Sequence, residues 1–407
     1  MTGHDVLYRL YADFDADAIR DRQRFVDLFP PIDSSVALDY WQDVQEELEQ
    51  RKDDIRDAFE AGETLAEVAA VATRDEAFTA LDLRGKYGRS VNVLVLDVDE
   101  TLRSAGGTDN EIPRETLHLL TELVEDGLPV VICTGQTLEN VKGFLVQGLG
   151  SELVNAGSLS IVYEGGTGVF TPEHGPRTKR LLYEDLDESV RDVFYDLRAR
   201  VLPHAPEAIA RGCHLQGNEF NVTLKPNFET GSADAVEVVD AALVYLLDLL
   251  GEVVADDPAA GAAVRRFYAD RDPEIRAVLE ARGALPAATE VQEPPHEVLD
   301  RIDVGYYEGD AAEVTSLELN KVVGVEAALD VLGVDDPFAL VMGDSKSDLR
   351  VMEWAADTDA GIAAAPEHAS TAVLDHVIRT DELIFDRGDA AAMLRIVYAL
   401  ERIGVLD

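Results

Sequence analysis

The stretch VNVLVLDVDETL, residues 91–102, decides how the rest of the chain is read. Val91, Val93, Leu94, Val95 and Leu96 form an aliphatic, β-branched run with little polar alternation, the pattern of a central parallel strand covered on both faces. In open α/β sheets, ligands bind just beyond the carboxyl ends of such strands. Asp97 and Asp99 stand there, and a chain still extended would turn both side chains to one side. A carboxylate can attack phosphorus and hold the phosphoryl group, while a second carboxyl protonates the leaving oxygen and later takes a proton from water. Taken alone, D-x-D-x-T is evenly balanced between that chemistry and an acidic strand end in an acid-rich chain.

Composition bounds the alternatives. A chain of 407 residues has room for two or three domains, and 46% hydrophobic content excludes wholesale disorder. The formal net charge is −45, from 80 acidic and 35 basic residues, and only seven of the basic residues are lysine. Such acid-rich, lysine-poor surfaces resemble those of proteins that work in concentrated salt. A Debye length of about 3 Å at 1 M removes the self-repulsion there. The alternative is a mesophilic acidic protein. The overall field repels nucleic acid, and no basic stripe favours it. Cys133 and Cys213 make neither a disulfide framework nor a metal-ligand spacing, which fits a reduced cytosol. The opening MTGHDVLYRLYADFDAD lacks the basic and apolar regions of a secretory signal, and AALVYLLDLL at 241–250 is too short to span a bilayer. The expectation is a soluble, cytoplasmic protein with neither nucleic acid nor membrane as a partner.

Residues 1–88 carry no strand run. Leu38, Trp41, Val44, Leu48, Ile55 and Phe59 recur at helical spacing, with Glu46, Glu47, Glu49, Asp53 and Asp54 on the other faces. Packing on the following domain is the first expectation for that stripe, and self-association into a homo-oligomer the second. Asp33-Ser34-Ser35 reads as the cap of this helix. From Val91 the pattern becomes strand, loop, helix. A polar turn at 103–110 leads to a helix from Ile112-Pro113 through Glu125, closed by Gly127. A strand at 128–136, a helix at 137–147 and a short strand at 152–157 complete a βαβαβ succession, which predicts a doubly wound parallel sheet.

Between 158 and 315, strand-like pieces (SLSIVYEG, GCHLQGNEFNVTLK, DRIDVGYYE) alternate with helices predicted at 187–200, 232–250 and 260–282. That is room for an α/β module of its own, most simply a lid or substrate-recognition domain. The core pattern then resumes. A helix at 317–334 has Lys321 at its start, the strand FALVMGD at 338–344 ends in Asp344, and Asp348 opens the next helix. The tail reads as a strand, a helix, an edge strand and a closing helix at 389–403. The predicted organisation is a helical extension at 1–88, an α/β core at 89–157 and 316–407, and an inserted α/β cap at 158–315.

Three strand ends thus converge: Asp97 with Asp99, Thr134 with Gly135, and Asp344 with Asp348, with Lys321 on the helix feeding the last strand. Clustered carboxylates offer the hard oxygen ligands that suit Mg2+, and the metal and Lys321 would offset their repulsion of a phosphate dianion. Thr134 could bind a phosphoryl oxygen through its hydroxyl and the Gly135 amide.

The ordered set DVDETL at 97, VVICTG at 130, NK at 320 and GDSKSDL at 343 resembles the haloacid dehalogenase-like superfamily. The resemblance leaves the first 88 residues unmatched. The position of the insertion, with VNAGS before it, looks like the Cof-type subfamily with a large α/β cap, which includes sugar-phosphate phosphatases and phosphomannomutases. The resemblance implies Asp97 as nucleophile and metal ligand, and Asp99 as general acid/base that also offers its backbone carbonyl to Mg2+. It implies that Thr134 binds the transferring phosphoryl group and that Lys321 neutralises it and orients Asp97. Asp344 would ligate the metal, with Asp348 beside it as ligand or support. A second aspartate at position 99 favours phosphomonoester chemistry over dehalogenation, and Glu100 stands where glycine is common in Cof-like relatives.

The expected function is therefore a Mg2+-dependent phosphatase acting through an aspartyl-phosphate on a small phosphorylated metabolite, with a sugar phosphate the first choice. The alternatives are a phosphosugar mutase, and a non-catalytic assembly protein with a vestigial site. Within the insertion, His214, Asn218, Asn221 and Lys225 are the polar residues on or beside the most strand-like piece, each more simply a satisfied strand residue than a specificity contact.

Overall fold

The computed structural model describes residues 2–29, 35–103, 111–255, 257–287 and 296–404. The expected cap at Asp33 and Ser34 and the turn at 104–110 lie outside them. Packing divides the chain into two compact units, one of Met1–Gly165, Val169–Arg180 and Gly324–Asp407, the other of Gly166–Gly168 and Leu181–Val323.

Among the described residues the first unit is built on a sheet of eight strands. The aliphatic run becomes strand β1 (Val93–Leu96), buried at every residue, followed by β2 (Val130–Cys133), β3 (Leu159–Tyr163), β4 (Gly168–Phe170) and β5 (Lys179–Leu181). Strands β6 (Cys213–Gln216), β7 (Asn221–Pro226), β8 (Ile302–Tyr307) and β9 (Ala311–Ser316) form a separate sheet in the second unit. The chain then supplies β10 (Ala339–Met342), β11 (Gly361–Pro366) and β12 (Leu383–Phe385) to the first. The large sheet runs β12-β11-β10-β1-β2-β3-β4-β5, and its strands from β12 to β3 are parallel. The chain winds outward from β1 through β2 and β3, then returns to add β10 on the other side of β1. The strand order therefore switches beside β1, and the crevice beyond the carboxyl ends there is where such sheets bind ligands.

The third strand is not where its expected position, 152–157, put it. Ser151–Val154 is a short helix, Gly157 has a φ of +89°, and the strand is Leu159–Tyr163, in parallel register with β2. LSIVY supplies the apolar and β-branched side chains that a doubly covered strand needs, whereas Asn155-Ala156-Gly157 favours a turn. SLSIVYEG thus belongs to the large sheet, and the compact inserted unit starts later than residue 158.

Among the described residues five helices precede β1: Gly3–Asp13, Ala16–Leu28, Ser35–Ala58, Gly62–Val71 and Arg74–Tyr87. Thr2 with Asp5 and Thr73 with Glu76 form capping boxes, each satisfying first-turn amides that the helix itself leaves open. In the long helix Leu48 and Ile55 are buried and Leu38 is exposed. Burial of each such side chain stabilises by about 2 kcal/mol. This helix packs mainly on Ala16–Leu28 and Gly62–Val71, whereas Gly62–Val71 and Arg74–Tyr87 meet the closing helix Ala390–Ile403. The extension and the sheet domain share one hydrophobic core.

In the second unit the sheet order is β6-β7-β9-β8, antiparallel throughout. Val222 and Leu224 pair with Val314 and Ala312, and the helix Gly231–Ala255 packs on these strands. Period-two alternation then sets His214, Thr223, Lys225 and Glu313 on the other face. The helix expected at 260–282 is two helices, Gly261–Ala269 and Pro273–Ala281, because Asp272 caps the second and Pro273 stands at its first position. Among the described residues no helix is long and apolar enough to cross a membrane.

Candidate functional site

Asp97 follows the last residue of β1, and its amide donates to the Met342 carbonyl of β10 at 2.9 Å, so the ladder between these strands runs up to the candidate nucleophile. Asp344 lies two residues beyond β10, and Asp348 is the third residue of helix Lys346–Asp357. One carboxylate oxygen from each of Asp97, Asp344 and Asp348 lies within 4.8 Å of the others. Asp97 and Asp348 are buried.

Two local features hold this triad. Asp348 closes a capping box, its carboxylate accepting from the Ser345 amide at 3.1 Å and the Ser345 hydroxyl at 2.6 Å. Gly343 makes room for the carboxylate, since a Cβ there would come within 2.3 Å of the Asp348 Cβ and 2.5 Å of its Cγ. Three carboxylates this close repel one another strongly where water is scarce. A set of hard oxygen donors from adjacent strand ends fits Mg2+, which takes few protein carboxylates and keeps places for water and a phosphate oxygen.

Asp99 lies in a turn beyond the strand rather than on it. The strand ends at Leu96, and the chain turns, with the amides of Leu102 and Arg103 both donating to the Val98 carbonyl. The same-side expectation required an extended chain, and the turn at Val98 removes it. The Asp99 side chain is half exposed. One oxygen accepts from Arg103 Nε at 3.0 Å and Nη2 at 2.6 Å, and the other accepts from Gln136 Nε2 at 2.6 Å. Glu100, at the glycine-favouring position, has a φ of +58°, and its carboxylate lies 3.2 Å from His368 Nε2 and 3.2 Å from Arg387 Nη2. Those contacts accompany a left-handed backbone that costs a non-glycine residue of order 1 kcal/mol.

Thr134, directly after β2, is fully buried. Its amide donates to the Val162 carbonyl at 2.9 Å, and its hydroxyl accepts from the Gln136 amide at 3.1 Å. That leaves the hydroxyl proton for another acceptor. A Cβ at Gly135 would meet nothing within 4 Å, so the backbone there stays open to a ligand. Lys321 belongs to the second unit's span and is the first residue of helix Lys321–Leu332, buried, with Asn320 capping the helix through the amides of Val322 and Val323.

The sequence reading missed Arg103 and Gln136. The spacing of Asp99 and Arg103 suggests contact only if the local fold is known, and Gln136 shows itself only as the donor next to T-G. Within the insertion, Lys225 pairs with Asp310 at 3.2 Å and lies opposite His214, while Asn218 accepts from the Phe220 amide at 2.8 Å.

No protein-family model matches this chain, and no curated protein does. Solved structures do. Trehalose-6-phosphate phosphatase from Aspergillus fumigatus matches at 15% identity and a TM-score of 0.42, covering 81% of this chain and 99% of its own. A HAD/COF-like hydrolase from Plasmodium vivax matches at 17% identity and a TM-score of 0.45, covering 81% and 100%. A haloacid dehalogenase-like hydrolase from Bacteroides thetaiotaomicron matches at 15% identity and a TM-score of 0.41, covering 77% and 100%.

Proposed function

We propose that the protein is a Mg2+-dependent phosphatase of the haloacid dehalogenase type, acting on a small phosphorylated metabolite, a sugar phosphate first. The observation that carries this reading is the triad of Asp97, Asp344 and Asp348 at the ends of adjacent parallel strands beside the switch in strand order. Bound there, Mg2+ would offset the charge between the carboxylates and a phosphate dianion.

The chain's own residues take the following roles in the proposal. A carboxylate oxygen of Asp97 attacks phosphorus, the bond to the leaving oxygen breaks, and the phosphoryl group is held as an aspartyl-phosphate. Asp99 gives its proton to the leaving oxygen and then takes one from the water that attacks the aspartyl-phosphate, which frees Asp97 and releases phosphate. Both Asp99 oxygens accept hydrogen bonds, so its acid role requires release of Arg103 or Gln136. These two residues act as positioning groups that hold Asp99 between steps. The Thr134 hydroxyl and the Gly135 amide bind phosphoryl oxygens, and Lys321 supplies the compensating cation.

Asp97→Asn keeps the size of the side chain and removes the nucleophile. In KCl and Mg2+, its hydrolysis of p-nitrophenyl phosphate is expected to fall by about three orders of magnitude or more with an unchanged circular-dichroism spectrum. Turnover at the wild-type rate would overturn the mechanism. A panel of sugar phosphates then separates phosphatase from mutase, since one releases inorganic phosphate and the other an isomeric sugar phosphate.

A further inference from the structure

A cavity in the first unit involves none of the triad residues. It measures about 570 Å³, the size of a small-metabolite site, and is walled by Ala16–Leu28 of the N-terminal extension, Arg114–Glu125 and the start of Ala390–Ile403. Arg20, Arg24, Arg114, Arg387 and Arg395 line it, so five of the chain's 35 basic residues meet around one hollow. Asp21, Asp27, Glu115, Glu122 and Asp389 line it too, which leaves the wall formally neutral in a chain of net charge −45. His118 stands 3.4 Å from Asp27 and 3.5 Å from Glu122, against the acidic part of that wall.

The basic part retains donor capacity. Arg24 reaches Glu115 through one nitrogen at 2.9 Å and remains 62% exposed. Among the described residues the Arg114 side chain makes no hydrogen bond or ion pair. The helix Arg114–Glu125 starts at the cavity behind Pro113, which has no side-chain acceptor to cap the first-turn amides. Thr116, in that first turn, lines the cavity, is fully buried and has no partner for its hydroxyl. A buried hydroxyl without a partner costs stability, and a free helix amino terminus attracts anions.

We infer that this cavity binds a small organic anion carrying a phosphate or carboxylate group. Its charged end sits at the amino terminus of Arg114–Glu125, between the first-turn amides, the Thr116 hydroxyl and the guanidinium groups of Arg24 and Arg114. Arg387 links the cavity to the loop after the nucleophile, because it contacts Glu100, the neighbour of Asp99. An anion that reaches Arg387 competes with Glu100 for it, so occupancy alters turnover. This last effect rests on the phosphatase reading, whereas binding does not.

Calorimetric titration of the full chain with inorganic phosphate and with citrate, without Mg2+ and at fixed KCl, tests the site. The expected result is saturable binding of at least one probe that weakens about tenfold or more in both Arg24→Gln/Arg114→Gln and Thr116→Val. The probe that shows this pattern identifies the anionic group. Thr116→Val alone is expected to raise the melting temperature of the ligand-free protein while losing the probe-induced shift. Equal binding in wild type and variants, or no binding up to roughly 10 mM, overturns the inference. A protein that binds citrate in this pattern but hydrolyses no phosphate ester keeps the site and loses only the phosphatase reading.

Discussion

At Gly343 the constraint comes from space rather than from backbone conformation. A methyl group there would overlap the Asp348 side chain, which is both a triad member and the anchor of the Ser345 cap. Gly343→Ala is therefore expected to displace one member of the triad while leaving Asp97 in place. The Mg2+ concentration for half-maximal activity should rise about tenfold or more, as when a ligand's support is removed. An unchanged Mg2+ requirement would show that Asp348 is not a ligand. Asp97, Asp344 and Asp348 were legible in the sequence because each stands at a fixed offset from an apolar strand. The partners of Asp99 were not, because they depend on the turn at Val98, where an alternation argument has already ceased to apply. Gln136→Ala frees one Asp99 oxygen and should change the pH profile of turnover more than KM.

The closing helix Ala390–Ile403 joins the N-terminal extension to the sheet domain. Arg395 on this helix is 12% exposed and pairs with Glu76 of Arg74–Tyr87 at 2.8 Å and with Glu115 of Arg114–Glu125 at 2.6 Å. Its loss strands a buried Glu76, so Arg395→Met should cost about 3 kcal/mol in urea unfolding, with part recovered by adding Glu76→Gln. Near the helix end, burial pushes the Glu401 carboxyl from 4.5 up to about 7, opposed by Arg402 and reinforced by Asp126. The folded state thus binds more proton than the unfolded chain between those values, and stability falls as pH rises through that window. Glu401→Gln removes the dependence. It should match wild type near pH 4 and exceed it by about 1 kcal/mol at pH 8, after discounting for the side chain's partial exposure. Equal differences at both pH values would refute this. Helix identity was easy to read because the apolar stripe repeats over many residues. The third parallel strand was misread because two short candidates, ELVNAG and LSIVY, lie side by side and only pairing with β2 chooses between them. Strand β9 escaped notice because Ala311, Ala312 and Glu313 have little strand propensity and take their conformation from β7 and β8.

Over the whole molecule the dominant quantity is the charge of −45, which pairing only partly relieves. The arginine-rich composition supports branched contacts. Arg56 alone meets Glu49 at 3.1 Å, Asp53 at 2.7 Å and Glu63 at 2.7 Å, a network a lysine's compact ammonium could not span with the same geometry. With 80 acids against 35 bases, however, a net charge of −45 stays uncompensated within the chain however the pairs are shared. Exposed pairs contribute about 0–1 kcal/mol each, so the surplus repulsion must be screened by the solvent. The melting temperature should therefore rise steeply as KCl increases from about 0.05 M to 1 M, where the Debye length shrinks to roughly 3 Å, and level off above that. Potassium sulfate at equal ionic strength separates the causes, because an excluded kosmotrope also strengthens apolar burial. If screening governs, the two salts act alike at low concentration and diverge only beyond the plateau. A rise seen in sulfate but absent in chloride would assign salt dependence to the core instead, and the acidic surface would then be a matter of solubility rather than of stability.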